Sequence, residues 1–284
     1  MTGFTAAAVQ MRSGVDVAAN IDDAGRLIRE AAAAGAHYVL TPEMTNVLDR
    51  DRERLLAAVT SEDRDPALAA FRALAAELGI HVHAGSLAIG LEGEAVANRS
   101  FLIGPDGAVL ASYDKIHMFD VDLGDGESYR ESRLYRPGSM AVVADLPWAR
   151  LGLTVCYDVR FPHLYRSLAQ SGASVMAIPA AFTRTTGAAH WHVLVRGRAI
   201  ETGAFVVAAA QGGRHADGRD TYGHSMIVDP WGTVLAEAGE DPGVIVAAID
   251  PEASARARAR IPSLANERPF TPPVAVAPRL KSVS

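Results

Sequence analysis

Cys156 is the only cysteine in the chain. It closes the apolar run Leu151 to Val155, directly before the polar turn Tyr157-Asp158-Val159-Arg160-Phe161-Pro162. A thiol so placed suits nucleophilic attack on a carbonyl, provided that a base takes its proton and a fixed cation steadies the charge that develops. Two other segments end in groups of those kinds. Thr41-Pro42-Glu43 follows the apolar stretch His37 to Leu40 and offers a carboxylate, and Asp114-Lys115-Ile116-His117 offers an ammonium. Acyl transfer needs this trio of general base, oxyanion partner and nucleophile. The turn predicts a partly exposed sulfur, and a neighbouring lysine favours its thiolate form.

Three strand exits far apart in the chain must converge if these groups are to meet. Thr5 to Gln10 reads as a strand, Asp16 to Ala34 as a helix and His37 to Leu40 as a strand; later, Leu151 to Cys156, Pro162 to Gln170 and Ser174 to Ile178 repeat that order. Gly35, Ala36 and Pro42 line up with Gly172, Ala173 and Pro179. The hairpin Ser100 to Ala111, turning on Pro105-Asp106-Gly107, lines up with Ser225 to Ala236, turning on Pro230-Trp231-Gly232. Two such halves are best satisfied by two mixed sheets packed face to face with helices outside, an αββα sandwich of the α/β class forming one domain over residues 1–250. From Asp250 the composition shifts to Arg256, Arg258 and Arg260 among alanines and then to prolines. Residues 251–284 therefore read as an arm, loose or docked on a partner subunit through Phe270 and Val274. The helix Ala188 to Thr202, with Trp191, Val195 and Ile200 at helical spacing, is expected to bury itself against a second copy.

With 284 residues, 49% of them hydrophobic, the chain can bury a large core. A net charge of −6 gives no electrostatic footprint for nucleic acid. No apolar stretch reaches membrane-spanning length, and one cysteine permits no internal disulfide, so a cytoplasmic protein is expected. His81 and His83 share one strand face, and His190 and His192 lie close on a helix. Neither pair shows a third ligand at metal spacing in the sequence, so no metal and no cofactor are expected.

The segments Thr41-Pro42-Glu43, Tyr113-Asp114-Lys115 to Asp122 and Leu153-Thr154-Val155-Cys156 to Pro162 resemble the three signatures of the nitrilase superfamily of carbon-nitrogen hydrolases, over roughly Ala6 to Asp250. Tyr129-Arg130-Glu131-Ser132, Thr185 to Trp191 and Tyr222 to Gly232 resemble its Nit branch, amidases of 2-oxo acid amides. The resemblance implies Glu43 as general base, Lys115 as oxyanion partner with the Tyr157 N–H, Cys156 as nucleophile forming a thioester, and Glu131 as a second glutamate bound to the lysine. His117 is expected to support its loop. It also implies a small amide substrate bearing a carboxylate, gripped by Arg160 together with Phe182 and Thr186, and a homodimer or higher homo-oligomer.

Cys156-Tyr157-Asp158 differs from the Cys-Trp-Glu usual in nitrile-hydrolysing relatives, which disfavours nitriles. Within the branch, two choices stand: hydrolysis of deaminated glutathione to 2-oxoglutarate and Cys-Gly, or ω-amidase action on 2-oxoglutaramate or 2-oxosuccinamate. Gln211 to His215 and Arg219 to Met226 resemble the first more. N-carbamoyl amide hydrolysis and a catalytically idle scaffold are the further alternatives. His163, Ala188 and His192 depart from the branch pattern, where Glu, Pro and Glu are usual.

Overall fold

Strand β1 (Phe4–Gln10) shows how the layers arise. Its odd and even side chains point to opposite faces. Ala6 and Ala8 join the apolar layer between the two sheets, and Ala7 and Val9 join the layer beneath the helices. A strand covered on both faces reads as a continuous apolar run, which is why Thr5 to Val9 shows no polar alternation.

The structure is a computed structural model that describes residues 3–124 and 128–273. One six-stranded sheet runs β16-β1-β2-β3-β4-β5, with β2 Tyr38–Leu40, β3 His81–Gly90, β4 Val96–Ile103, β5 Val109–Asp114 and β16 Gly243–Ile249. The other runs β15-β14-β11-β10-β9-β8, with β8 Val142–Asp145, β9 Arg150–Leu153, β10 Val175–Ala180, β11 Phe205–Ala210, β14 Met226–Val228 and β15 Val234–Glu237. Two ribbons lie outside the sheets: β6 (Asp120–Asp122) with β7 (Ser128–Arg130), and β12 (Gly212–Arg214) with β13 (Asp220–Tyr222). Helices α1 (Val17–Ala33) and α3 (Pro66–Leu78) cover the first sheet; α4 (Pro162–Gln170) and α5 (Arg184–Thr202) cover the second. The short α2 spans Arg52–Ala58.

The expected sandwich of two equivalent halves is present. β1, β2 and β3 are parallel and are followed by the antiparallel hairpin β4–β5, as β9, β10 and β11 are followed by β14–β15. Both hairpins turn on a glycine in the left-handed region, Gly107 at φ 77° and Gly232 at φ 85°, where a Cβ would be strained. The final strand β16 returns to pair with β1, so the end of the second half completes the first sheet.

One expectation needs correction. The helix α5 does not offer Trp191 and Val195 to a partner: both are buried in their own chain, and the Trp191 indole donates to the His224 carbonyl at 2.8 Å. Ile200 does face outward, with Val193 beside it on the same exposed side. The segment expected as an arm is in part helical and attached to its own chain. Residues from Pro251 form helix α6 (Pro251–Arg260), capped by Asp250 and fixed where Arg258 donates to the carbonyls of Thr202 and Ala173. Those carbonyls end α5 and the loop before β10, so a guanidinium there meets backbone groups left without helical partners. Glu267 continues the attachment by pairing with Arg166. Phe270 is exposed, and Val274 lies outside the described residues.

Between the sheets, His83 is fully buried with Nδ1 2.6 Å from the Tyr38 hydroxyl and Nε2 2.7 Å from Ser100 Oγ. Burial pushes its pKa down from 6.5 to about 3. A histidine with a folded pKa below its unfolded one takes up protons on unfolding, so its stability contribution is present above pH 6.5 and lost as pH falls toward 3. By pH 5 the loss is about 2 kcal/mol, from ~1.36 kcal/mol per pH unit. Thermal melts at pH 7.5 and pH 5 are expected to show this drop, and His83→Gln to show a flatter profile; an unchanged acid slope in the variant contradicts the assignment.

Candidate active site

The pairing directions put the three chemical exits at one rim. β2 is parallel to β3, and β5 regains that direction through two antiparallel steps, so Glu43 after β2 and Lys115 after β5 leave the first sheet on the same edge. Cys156 leaves the facing sheet after β9. The expected strand up to Cys156 stops at Leu153, and Cys156 opens a short 3-10 turn, Cys156–Arg160. Its φ of 50° is rare for a residue with a side chain and marks local strain at the thiol.

Asp158 over-determines that strained turn. Its buried carboxylate accepts from the Val155 N–H at 2.8 Å, the Tyr113 hydroxyl at 2.7 Å and the His117 N–H at 3.1 Å, with His117 Nδ1 at 2.6 Å. One side chain thus ties the Cys156 turn to the segment carrying Lys115. The His117 ring stacks on Phe161 at 3.5 Å.

At the centre stands the Lys115 ammonium, 2% exposed. It donates to Glu43 Oε1 at 2.9 Å and to both oxygens of Glu131, at 3.0 and 2.9 Å. Burial works against its charge, but the carboxylates of Glu131 and Glu43 outweigh that and hold its pKa well above the usual lysine value. Asn98 Nδ2 donates to Glu43 at 2.9 Å and to Glu131 at 3.2 Å, and the Phe119 N–H donates to Glu131 at 2.6 Å. The other Glu43 oxygen accepts the Ala181 N–H at 2.9 Å, and the Cys156 thiol lies in the field of the same carboxylate.

The sulfur differs from expectation in one respect. Cys156 is 7% exposed, and burial together with the Glu43 charge pushes its pKa well up against the downward pull of Lys115. Lys115 is already held by two carboxylates, so its charge is not spare for the thiolate. The resting group is a neutral thiol with an acceptor beside it, an arrangement in which proton transfer accompanies attack.

The four groups open onto a cavity of about 560 Å³, whose wall includes Glu43, Lys115, Glu131, Cys156, Tyr157, Phe182 and Thr186. Arg160 does not line it. Its guanidinium lies 5.3 Å from the Phe182 ring and 6.0 Å from the Tyr157 ring, with Nη2 3.2 Å from His190 Nδ1. Besides Lys115, the cationic side chains that line the cavity are Arg50, Arg52 and Arg133, which the sequence had not marked, and Arg130 and Arg219, to which it had given no role. Asn98 and Asp158 were also missed as members of the site. For Asn98 the available signal was an amide within a strand that folds into the core, since buried polar groups must find partners; Asp158, in a polar turn, carried no such signal.

Gly85 in β3 explains how the Glu43 loop comes so close. A Cβ there would stand 1.9 Å from the Thr41 carbonyl oxygen and 2.5 Å from Pro179 Cβ. Gly85→Ala is expected to cost at least ~1–3 kcal/mol of stability, as overpacked interiors do, and to lower kcat by displacing Glu43. Melts and single-turnover kinetics check both, and an alanine variant with parental values excludes this role.

His81 packs edge-on to Trp148, and His83 is taken up by Tyr38 and Ser100. His192 departs from expectation, because a sequence-distant turn and β15 bring His224 and Glu237 to it.

Two face-to-face sheets with a buried thiol, ammonium and pair of carboxylates at one rim define an α/β-sandwich hydrolase. Residues 5–259 match the carbon-nitrogen hydrolase family. The chain is 41% identical over 268 residues to the deaminated glutathione amidase of Synechocystis sp. (strain PCC 6803 / GT-S), covering 93% of this chain and 98% of that protein. Among solved structures, the C. elegans NitFhit protein superposes with a TM-score of 0.88 at 34% identity, covering 94% of this chain and 65% of that one, so this chain spans just under two thirds of NitFhit. Saccharomyces cerevisiae Nit3, a member of branch 10 of the nitrilase superfamily, superposes with a TM-score of 0.81 at 28% identity over 92% of this chain and 94% of that one. The chain belongs to the carbon-nitrogen hydrolase family of the nitrilase superfamily, and it is a hydrolase of carbon-nitrogen bonds.

Proposed function

We propose that this protein is a cysteine amidase acting on a 2-oxo acid amide, deaminated glutathione first, through a thioester on Cys156. The observation that carries this is the Glu43 carboxylate, whose charge acts on both the Cys156 thiol and the Lys115 ammonium. Sulfur attacks the amide carbonyl while its proton passes to Glu43. Lys115 and the Tyr157 N–H hold the oxyanion, a role worth ~2.7–4 kcal/mol per donor. The intermediate collapses, the C–N bond breaks, and Glu43 returns the proton to the departing amine. A water deprotonated by Glu43 then attacks the thioester, releasing the carboxylic acid and restoring the thiol. Glu131, bound by both oxygens to Lys115, fixes the ammonium without taking a proton.

Tyr157, Phe182 and Thr186 take the acyl part, Arg160, against the Tyr157 and Phe182 rings, serves the substrate carboxylate with them, and the arginines of the wall favour an anionic substrate. The relatives named for deaminated glutathione support that substrate. No described helix is long and apolar enough to cross a membrane. A cytoplasmic setting fits a catalytic free thiol. A homodimer fits the outward apolar side chains Val193 and Ile200 of α5 with Trp231 and Leu235 of the adjoining hairpin.

The test is a kinetic panel of deaminated glutathione, 2-oxoglutaramate, an N-carbamoyl amino acid and a simple nitrile, with mass spectrometry of the trapped enzyme. The expected result is the highest kcat/KM on deaminated glutathione and an acyl adduct on Cys156. Preference for 2-oxoglutaramate makes the protein an ω-amidase. Inertness to every amide and to iodoacetamide makes it a scaffold.

A further inference from the structure

His192, His224 and Glu237 bring one ligand atom each to within 4.8 Å of the others, the one such group among the described residues. They come from three places: His192 from the middle of α5, His224 from the turn before β14, and Glu237 from the end of β15. His192 Nε2 lies 2.8 Å and His224 Nδ1 3.1 Å from the same oxygen, Glu237 Oε1. Around a tetrahedral ion with bonds of ~2.0–2.2 Å, ligand atoms stand roughly 3.3 Å apart, so shifts of under about 1 Å seat an ion among these three.

His224 is the most firmly preset of the three. It holds a left-handed backbone at φ 56°, its N–H donates to the Gly239 carbonyl at 2.9 Å, and its own carbonyl accepts from Trp191. Its ring stacks on Tyr222 with centroids 4.2 Å apart, and the His192 ring meets it edge-on at 5.8 Å. A non-glycine residue in that backbone region costs stability, and such strain gathers where a side chain must be aimed. The side chains are 38%, 24% and 33% exposed, which leaves water free to fill a fourth position.

We propose that His192, His224 and Glu237 form a site for one divalent transition metal of the zinc class, separate from the thiol chamber. Two imidazoles and a carboxylate suit Zn²⁺, Co²⁺ or Ni²⁺ better than Mg²⁺ or Ca²⁺, which prefer all-oxygen shells. The ion ties α5 to the β14–β15 hairpin, and because Thr186 in the first turns of α5 lines the cavity, it braces that wall.

The experiment uses the full chain carrying Cys156→Ala, so that the thiol cannot ligate, stripped with a chelator and titrated with Co²⁺ and then Zn²⁺. Expected are the visible d–d bands of low-symmetry Co²⁺, their loss on one equivalent of Zn²⁺ per chain by calorimetry, and a raised thermal midpoint that chelator reverses. His192→Gln and Glu237→Gln should each weaken binding at least ~100-fold, since even outer-shell partners of a metal are worth ~10–100-fold, whereas His163→Gln should not. Absence of binding, or unchanged affinity in the His192 and Glu237 variants, overturns the proposal and leaves a hydrogen-bonded His–Glu–His cluster.

Discussion

Cys156→Ala is expected to reduce kcat by at least ~10⁴-fold, in line with the loss seen when a covalent nucleophile is removed, while lowering the thermal midpoint by only a few degrees. The two halves of that expectation have separate causes. Attack and thioester formation have no substitute nucleophile, because the chain holds no other cysteine. Stability barely changes because alanine keeps the Cβ at the same φ of 50°, and Asp158 rather than the sulfur holds the turn through Val155, Tyr113 and His117. Ammonia or amine release together with a melt reads both quantities. Parental turnover would exclude a thiol mechanism, and collapse of the fold would show the sulfur to be a packing element.

Lys115→Met is expected to fail in a different way, losing both activity and stability. The ammonium neutralises Glu43 and Glu131, which share the Asn98 amide and lie almost wholly out of water. Removing one member of a buried ionic cluster costs ~3–5 kcal/mol, because the remaining charges are left uncompensated. Two buried carboxylates left without their cation repel each other, and melts at pH 8 should show a deficit against the parent of about 3–5 kcal/mol. Turnover should fall by at least ~10²–10³-fold through loss of the oxyanion partner. A variant as stable as the parent at pH 8 would mean that Glu43 and Glu131 do not depend on this ammonium.

Much of the site was legible from residue type and place. An acid, a lysine and a cysteine each followed an apolar run, and the internal repeat explained how separate runs end on one edge: equivalent halves give strands of equivalent direction. The ionisation state of the sulfur was not legible. It depends on Lys115 being committed to two carboxylates and on the depth of burial, and neither is encoded in local pattern. Arg160 illustrates the same limit, since four residues of sequence separation from Cys156 left open that its guanidinium meets the Tyr157 and Phe182 rings and His190.

Residue identity and order were enough to determine the α/β sandwich and the carbon-nitrogen hydrolase family, and to single out Glu43, Lys115 and Cys156 as candidates, because each rests on periodicity or on a short contiguous segment. The folded chain was needed for Asn98 joining the two glutamates, Asp158 tying the Cys156 turn to Tyr113 and His117, and His192 meeting His224 and Glu237. Those contacts join residues tens of positions apart, where distance is set by how sheets and helices pack and leaves no mark on the neighbouring sequence.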